Sequence, residues 1–334
     1  MPGVVLVTGP NGVGKTNLLE AIHVGSQGFS PRTRAETRLV RFGERIARVR
    51  LRGRDGSGFE TDVEVEPGQG KRVRLNGAQL PAAEELRLRL SVLAFTPDRL
   101  AVVKGGPIVR RAYFDRMLGR LFPSRAELAL EYGRALAQRN RALRRVRAGE
   151  SSRAALEPWT TQVAALGTQL DESRAELVGL LAPAFGAQAV ALGLERPSLR
   201  YEPRGLTVEE LDRRLEHDVE RAATGAGPHL RDVEIAAAGR ELRSYGSQGE
   251  QRTAVLALVL AEAGVLGERR AGPPLLLLDD VFSELDEGRR ARLLALLPPR
   301  GQTVLTATEP EAYPPGAAAP ALVVAVTPGA AGAT

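Results

Sequence analysis

One octapeptide near the start of the chain does most to limit what it can fold into. Gly9-Pro10-Asn11-Gly12-Val13-Gly14-Lys15-Thr16 matches the pattern G-x-x-x-x-G-K-S/T. A short apolar run, residues 4–8, precedes it, and Leu18, Leu19 and Ile22 follow at helical spacing. That strand–loop–helix context predicts a phosphate loop. Glycines let successive backbone N–H groups curl around phosphate oxygens, and a helix N-terminus adds positive partial charge. Lys15 is expected to reach the β- and γ-phosphates of ATP, and the Thr16 hydroxyl to ligate Mg2+.

Distant parts of the chain answer this loop. Leu275, Leu276, Leu277 and Leu278 run directly into Asp279 and Asp280. A buried parallel strand delivers its last side chain to the sheet edge where a phosphate loop also sits. Asp279 is therefore the candidate Walker B carboxylate acting on Mg2+, largely through its water shell. Asp280 is the candidate general base beside the attacking water, where many such ATPases have Glu. The plainer alternative is that the two carboxylates cap the next helix.

Ser247-Gln248-Gly249-Glu250-Gln251 opens a helix, and Ser247 with Glu250 also reads as a capping box. The same segment aims a hydroxyl, glycine N–H groups and a helix N-terminus at any nearby anion. Loop, this segment and acidic strand stand in the order of ABC ATPases, so Ser247, Gln248, Gly249 and Glu250 are candidate nucleotide contacts. In that architecture the signature segment completes the site of a second subunit, which predicts a homodimer in the ATP state. Ser283-Glu284-Leu285-Asp286 follows the acidic pair. Asp286 is either a contact along the dimer seam or a cap for the next helix.

Between residues 45 and 80 apolar positions alternate, with turn signals at Asp55-Gly56, Pro67-Gly68 and Asn76-Gly77. Both central residues of an Asn-Gly turn need positive φ, a strong hairpin signal, so an antiparallel meander is expected. Residues 107–224 read as mostly helical, with one helix across 134–147 and another across 156–181. No heptad persists, which argues against a coiled-coil arm. Strands are expected near 233–235, 275–278 and 303–307, helices over 248–265 and 287–297, and irregular chain over 310–320 and 328–334. The expected fold class is α/β, an ABC-type ATPase head (a P-loop parallel sheet with an antiparallel meander) plus an inserted, mainly helical lobe. Residues 1–106 and 226–334 would form the body, and 107–225 the helical arginine-rich lobe.

The net charge is +6, from 46 basic and 40 acidic residues, which favours an acidic partner such as DNA. Lysine occurs only at 15, 71 and 104, so arginine bias from a GC-rich genome is an alternative source of the excess. Arg139, Arg141, Arg144 and Arg145 are the candidate DNA contacts; the alternative is a solvated helix face with intrahelical ion pairs. No apolar run approaches the roughly 20 residues of a membrane span. Cysteine is absent, which excludes disulfides and thiolate chemistry, and no secretory signal precedes Gly9. Both facts are in keeping with the cytoplasm.

Over almost its whole length the chain resembles the RecF family. The segments that carry the resemblance are Gly12 through Ile22, including Thr16-Asn17-Leu18-Leu19-Glu20-Ala21, then Ser30 with Arg32-Thr33, and Phe95-Thr96-Pro97-Asp98-Arg99-Leu100. Pro107, Arg110-Arg111, Phe114-Asp115, Tyr132, Gln138-Arg139-Asn140 and Trp159 continue it. Gly227-Pro228-His229, residues 247–253 and residues 277–286 complete it. The match extends the nucleotide-binding candidates to Asn17. It implies slow, DNA-stimulated ATP hydrolysis coupled to dimerisation on double-stranded and gapped DNA, in recombinational repair and replication restart. It also implies partnership with RecO and RecR in loading RecA.

Two departures stand out. The family carries one or two strands and an aromatic–basic segment ahead of the phosphate loop, which implies either an upstream start codon or a shorter antiparallel sheet here. After Gly227-Pro228-His229 this chain reads Leu230-Arg231-Asp232, shifting the acidic residue by one place. His229 is expected to be a structural hydrogen-bonding histidine. The alternatives are an ABC-type module acting on a protein partner, and a nucleotide-bound scaffold without appreciable turnover, which Asp280 in place of Glu keeps open.

Overall fold

The computed structural model describes all residues except 1, 2, 34, 56, 271, 284 and 334. The chain forms two compact units, one of Met1–Leu100, Ala191–Gly193 and Val255–Thr334, the other of Ala101–Val190 and Leu194–Ala254.

The first unit holds a six-stranded sheet in the order Ala330–Ala333, Leu322–Thr327, Gly3–Thr8, Gln302–Ala307, Leu275–Leu278, Val92–Phe95. Its neighbours pair in parallel, apart from the antiparallel pair at the Ala330–Ala333 edge. Parallel strands covered on both faces carry near-continuous apolar sequence, which is why four successive leucines form one of them. Val7, Val92, Ala94, Leu277, Val304 and Val326 pack with Leu19 of the helix Lys15–Gln27. Each of these valines and leucines contributes about 1.5–3 kcal/mol by leaving water.

The tail beyond Pro328, expected to be irregular, instead adds the last strand. Pro328-Gly329 makes the bend, with Gly329 at φ 80, and Val324 to Thr327 pair with Ala333 to Ala330. All four residues of Ala-Ala-Gly-Ala are exposed, so backbone pairing defines this strand and no apolar alternation announces it.

The expected meander is a four-stranded antiparallel sheet of Ala47–Asp55, Ser57–Glu66, Gly70–Leu75 and Ala78–Gln79. Asn76 and Gly77 both have positive φ, 50 and 83, as their turn demands. Of the expected Asp55-Gly56 turn, Gly56 lies outside the described residues. Val63, Val65, Val73 and Leu75 bury one face against Val24 and Leu86. On the other face Arg48, Arg50 and Arg52 stand opposite Glu64, Asp62 and Glu60, and ion pairs join Arg48 to Asp62 and Arg52 to Glu60. A slip of one residue would exchange these faces, so burial and charge select the same register.

The second unit is mainly helical: Pro107–Leu121, Leu128–Arg147, Glu157–Ala191 and shorter helices, with a three-stranded sheet of Ser198–Arg200, Glu234–Ala237 and Arg240–Glu241. Glu157–Ala191 runs past the expected end at 181 and contains Pro183. Leu177, Leu181, Phe185 and Ala189 continue one buried stripe through the proline. Burying that stripe outweighs the cost of about 3 kcal/mol for a mid-helix proline.

Residues 226–254, expected in the α/β body, group instead with the helical unit. The cause is local pairing. Glu234–Ala237 pairs with Ser198–Arg200. Arg174 donates to the Pro228 carbonyl at 2.8 Å, Arg231 pairs with Asp171, and Asp232 lies 3.4 Å from Arg110.

Arg139, a candidate DNA contact, is corrected by the structure. Its side chain is 0% exposed and its guanidinium donates to Asp218 at 2.8 Å, Thr224 at 2.8 Å and Thr160 at 3.2 Å. Asp218 also accepts the Gly225 N–H at 3.0 Å. The pair is an internal tie between the helices Leu128–Arg147 and Leu215–Arg221. Arg139→Ala or Asp218→Ala should each lower unfolding stability by about 3–5 kcal/mol, because a charge is left buried alone. The double variant Arg139→Met/Asp218→Leu should recover most of that loss in urea titrations.

Candidate functional site

The phosphate loop leaves the strand Gly3–Thr8 and enters Lys15–Gln27 through glycines with positive φ, 149 at Gly9, 79 at Gly12 and 116 at Gly14. Gly9 has a packing reason as well, since a Cβ there would lie 2.7 Å from the Val326 carbonyl oxygen. Gly14 occupies the helix N-cap and has no side chain to cap with. The first amide bonded back into the helix is that of Leu18, to Gly14 at 3.0 Å. The N–H groups of Lys15, Thr16 and Asn17 therefore sit at an uncapped N-terminus, ready for an anion. Lys15 curls over the loop and donates to the Gly9 and Pro10 carbonyls at 2.6 and 3.0 Å. A phosphate group fits this donor set, which occupies the expected positions 9–16.

Asp279 follows the leucine strand and its N–H donates to Phe95 at 2.9 Å, so the sheet still holds its backbone. The Thr16 hydroxyl donates to its carboxylate, 2.9 Å from Oδ2 and 3.1 Å from Oδ1. Two residues 263 positions apart thus offer oxygen ligands at one point. That suits Mg2+, which takes one or two protein oxygens and completes its shell from phosphate and water. Among the described residues no cluster of three or more His, Cys, Asp or Glu could hold a metal alone.

Asp280 stands beside it in the left-handed region at φ 50. Among residues with a Cβ, Asp and Asn tolerate that conformation best. Thr306 meets both acids: its Oγ1 accepts the Asp280 N–H at 2.7 Å and donates to Asp279 Oδ1 at 2.9 Å. Sequence reasoning missed Thr306, because a threonine in an apolar strand reads as ordinary β-propensity. Nearby, Ser30 and Arg32 both bond Glu20, Arg32 at 3.3 Å. Glu20 and Arg32 line a cavity of about 10 Å³ together with Thr16, Thr96 and Asp279.

At the start of the helix Gln248–Arg269 the capping box forms as expected: the Ser247 N–H donates to Glu250 at 2.8 Å and the Glu250 N–H to Ser247 Oγ at 3.2 Å. Hydrogen bonding from Ser247 holds the Glu250 carboxyl below the usual range. Ser247 and Gln248 are exposed, and Gly249 is half-buried. Asp286 caps the helix Glu287–Leu296 by accepting the Arg289 N–H at 2.8 Å, while Glu284 lies outside the described residues. Arg141, Arg144 and Arg145 are exposed on the helix Leu128–Arg147.

His229 Nε2 faces the Thr224 carbonyl at 3.1 Å, so that nitrogen carries the proton. Nδ1 then accepts from the Tyr132 hydroxyl at 2.7 Å. Burial lowers the His229 pKa and raises that of Tyr132, leaving both neutral. His229 is a structural clamp within the helical unit.

A family model described as the RecF/RecN/SMC N terminal domain matches residues 1–314. The "DNA replication and repair protein RecF" of Heliobacterium modesticaldum is 35% identical over 332 residues, covering 94% of this chain and 89% of that protein. The protein of the same name from Moorella thermoacetica is 38% identical over 317 residues, covering 92% and 84%. A solved structure described as "the recombination mediator protein RecF-ATPrS in RecFOR pathway" is 28% identical with a TM-score of 0.84, covering 100% of this chain and 92% of that one. An SMC head bound to the C-winged helix domain of ScpA shares the fold at 16% identity and a TM-score of 0.58, covering 100% and 89%.

Lys15→Ala should weaken nucleotide affinity about tenfold to a hundredfold, the worth of a charge-assisted bond, in titrations with a fluorescent ATP analogue. His229 has its own signature. Its folded pKa lies below the unfolded value of about 6.5, so the unfolded chain binds the extra proton as pH falls. Its contribution is complete above that value and is lost below it. Denaturant titrations at pH 7 and pH 5 should therefore show a fall in stability that His229→Gln reduces.

Proposed function

The chain belongs to the RecF family of DNA replication and repair proteins, and on that premise we propose that it is an ATP-dependent DNA-binding protein of recombinational repair and replication restart. The observation that carries the reading is the convergence of Thr16 and Asp279 beside the uncapped, lysine-bearing phosphate loop. In this proposal the loop amides and Lys15 bind the phosphates, and Thr16 and Asp279 hold Mg2+. When bound, Mg2+ neutralises phosphate charge. Asp280 polarises the attacking water, and hydrolysis is slow and DNA-stimulated.

The Ser247–Glu250 segment, exposed at Ser247 and Gln248, would complete the nucleotide site of a second copy, so ATP favours a homodimer and hydrolysis resets it. Its capping box keeps the Ser247 backbone and the helix N-terminus preorganised for that contact. Asp286 would lie along the same seam. The resemblance extends the proposal to gapped DNA and to RecO and RecR as partners in RecA loading. No helix among the described residues is long and apolar enough to cross a membrane. A cytoplasmic setting belongs to the same proposal.

Arg141, Arg144 and Arg145 are the proposed DNA contacts. They are exposed, and the ion pair of Arg145 with Glu150, at 4.0 Å, joins two solvated side chains. The arginines of Ala47–Asp55 are less available, since cross-strand carboxylates already engage Arg48, Arg50 and Arg52.

ATPase rates with and without gapped DNA test the reading directly, with stimulation expected. Reversing Arg141, Arg144 and Arg145 to Glu should weaken DNA binding and reduce the slope of log K against log salt by about 0.9 for each lost phosphate contact. Absence of DNA binding by the ATP-bound protein at moderate salt would overturn it.

A further inference from the structure

Strand Gln302–Ala307 lies beside Leu275–Leu278 in a register that sets Leu276 against Thr303 and Leu278 against Leu305. One step further brings Thr306 level with Asp279. Thr306 is wholly buried. Its neighbours along the strand, Val304, Leu305 and Ala307, are apolar and buried too. A valine would offer the same branched shape for packing there, so the hydroxyl needs a separate reason.

The hydrogen bonds supply one. A hydroxyl has a single proton and a carboxylate only accepts, so the Thr306 proton points to Asp279 Oδ1, 2.9 Å away. The free lone pair accepts the Asp280 N–H at 2.7 Å. The bonds run in series, from the Asp280 amide through Thr306 to the Asp279 carboxylate. Asp280 is held at φ 50, a conformation unfavourable for a residue with a Cβ unless something fixes it. Thr306 anchors that peptide at the place where the chain leaves the sheet. Asp279 has a second hydroxyl donor in Thr16, which is also the hydroxyl assigned to Mg2+. Thr306 is then the donor that keeps Asp279 oriented when Thr16 turns to the metal.

We propose that Thr306 is a positioning residue for ATP hydrolysis, holding the metal-side carboxylate of Asp279 and the backbone of Asp280 in one fixed relation through a single hydroxyl. The proposal rests on the ATPase reading above and adds the group that aims its two acids. Thr306 does not touch the nucleotide in this scheme. Its loss should therefore lower kcat and leave nucleotide affinity nearly unchanged.

Thr306→Val, Thr306→Ala and Thr306→Ser test this in the full chain. In nucleotide-free protein, hydrogen exchange of the Asp280 amide should accelerate in the valine and alanine variants and stay near wild type in the serine variant. In steady-state ATP hydrolysis, kcat should fall about tenfold to a hundredfold in the first two, with KM within about threefold. Thr306→Ser should restore most of the rate. The alanine variant, which adds no bulk, decides the matter if the valine variant does not fold. Wild-type kcat without the hydroxyl, or kcat and ATP affinity falling together with the melting temperature, overturns the proposal. So does unchanged Asp280 exchange. A wild-type chain without turnover would instead overturn the function proposed above, and exchange alone would then decide the hydrogen-bonded relay.

Discussion

The carboxylate of Asp279 is held where it is by the burial of the strand before it. Leu275–Leu278 has a parallel neighbour on either side, and its last three residues are shielded from solvent. A strand so enclosed can shift neither along its axis nor about it without exposing leucine and breaking both ladders. Its next residue must emerge at the sheet edge where Gly3–Thr8 releases the phosphate loop. From that geometry come the Thr16 contact, the Thr306 contact and the left-handed turn at Asp280. Oxygens widely separated in sequence can meet within hydrogen-bond distance because neighbouring strands of one sheet hold Thr306 and deliver Asp279, and the helix bearing Thr16 starts from the loop that leaves a third strand.

The helical unit is organised by a different force. Arg139 meets Asp218, Arg174 meets Asp115 through two 2.8 Å bonds, Arg231 meets Asp171, and Arg110 meets Asp232. Buried and half-buried pairs of this kind cost desolvation energy that their mutual attraction roughly offsets, so they add little net stability although losing one partner is costly. Four arginines and four aspartates are thus internal framework. Such pairs take up both signs equally, so the net charge of +6 is carried by the rest of the chain.

The element from Gly227 to Asp232 is held by side-chain ties at three of its residues. Its histidine is neutral, bonded at both nitrogens, and clamped between Tyr132 and the Thr224 carbonyl. Its arginine and aspartate each pair with a partner far away in sequence. The displaced acidic residue therefore has a defined place, beside Arg110. These ties, with the pairing of Glu234–Ala237, draw residues 226–254 into the helical unit.

Features governed by short-range chemistry were legible in the sequence. The phosphate loop, the Asn76-Gly77 turn, the Ser247–Glu250 capping box and the leucine strand each depend on a few consecutive residues whose backbone needs are specific. Candidate nucleotide-binding residues could be named because an entire strand or loop obeys such rules. What only the tertiary structure decided depends on partners remote in the chain. Arg139 and Arg141 lie two positions apart on one helix, yet one is buried against Asp218 and the other faces solvent, because successive positions of a helix turn to different sides. Thr306 looks like any β-branched strand residue until Asp279 and Asp280 are placed beside it. The final strand is drawn in by an available edge, not by side chains of its own. Local propensity and pattern settle which chemistry the chain carries; long-range packing settles which of its charged and polar groups are free to perform it.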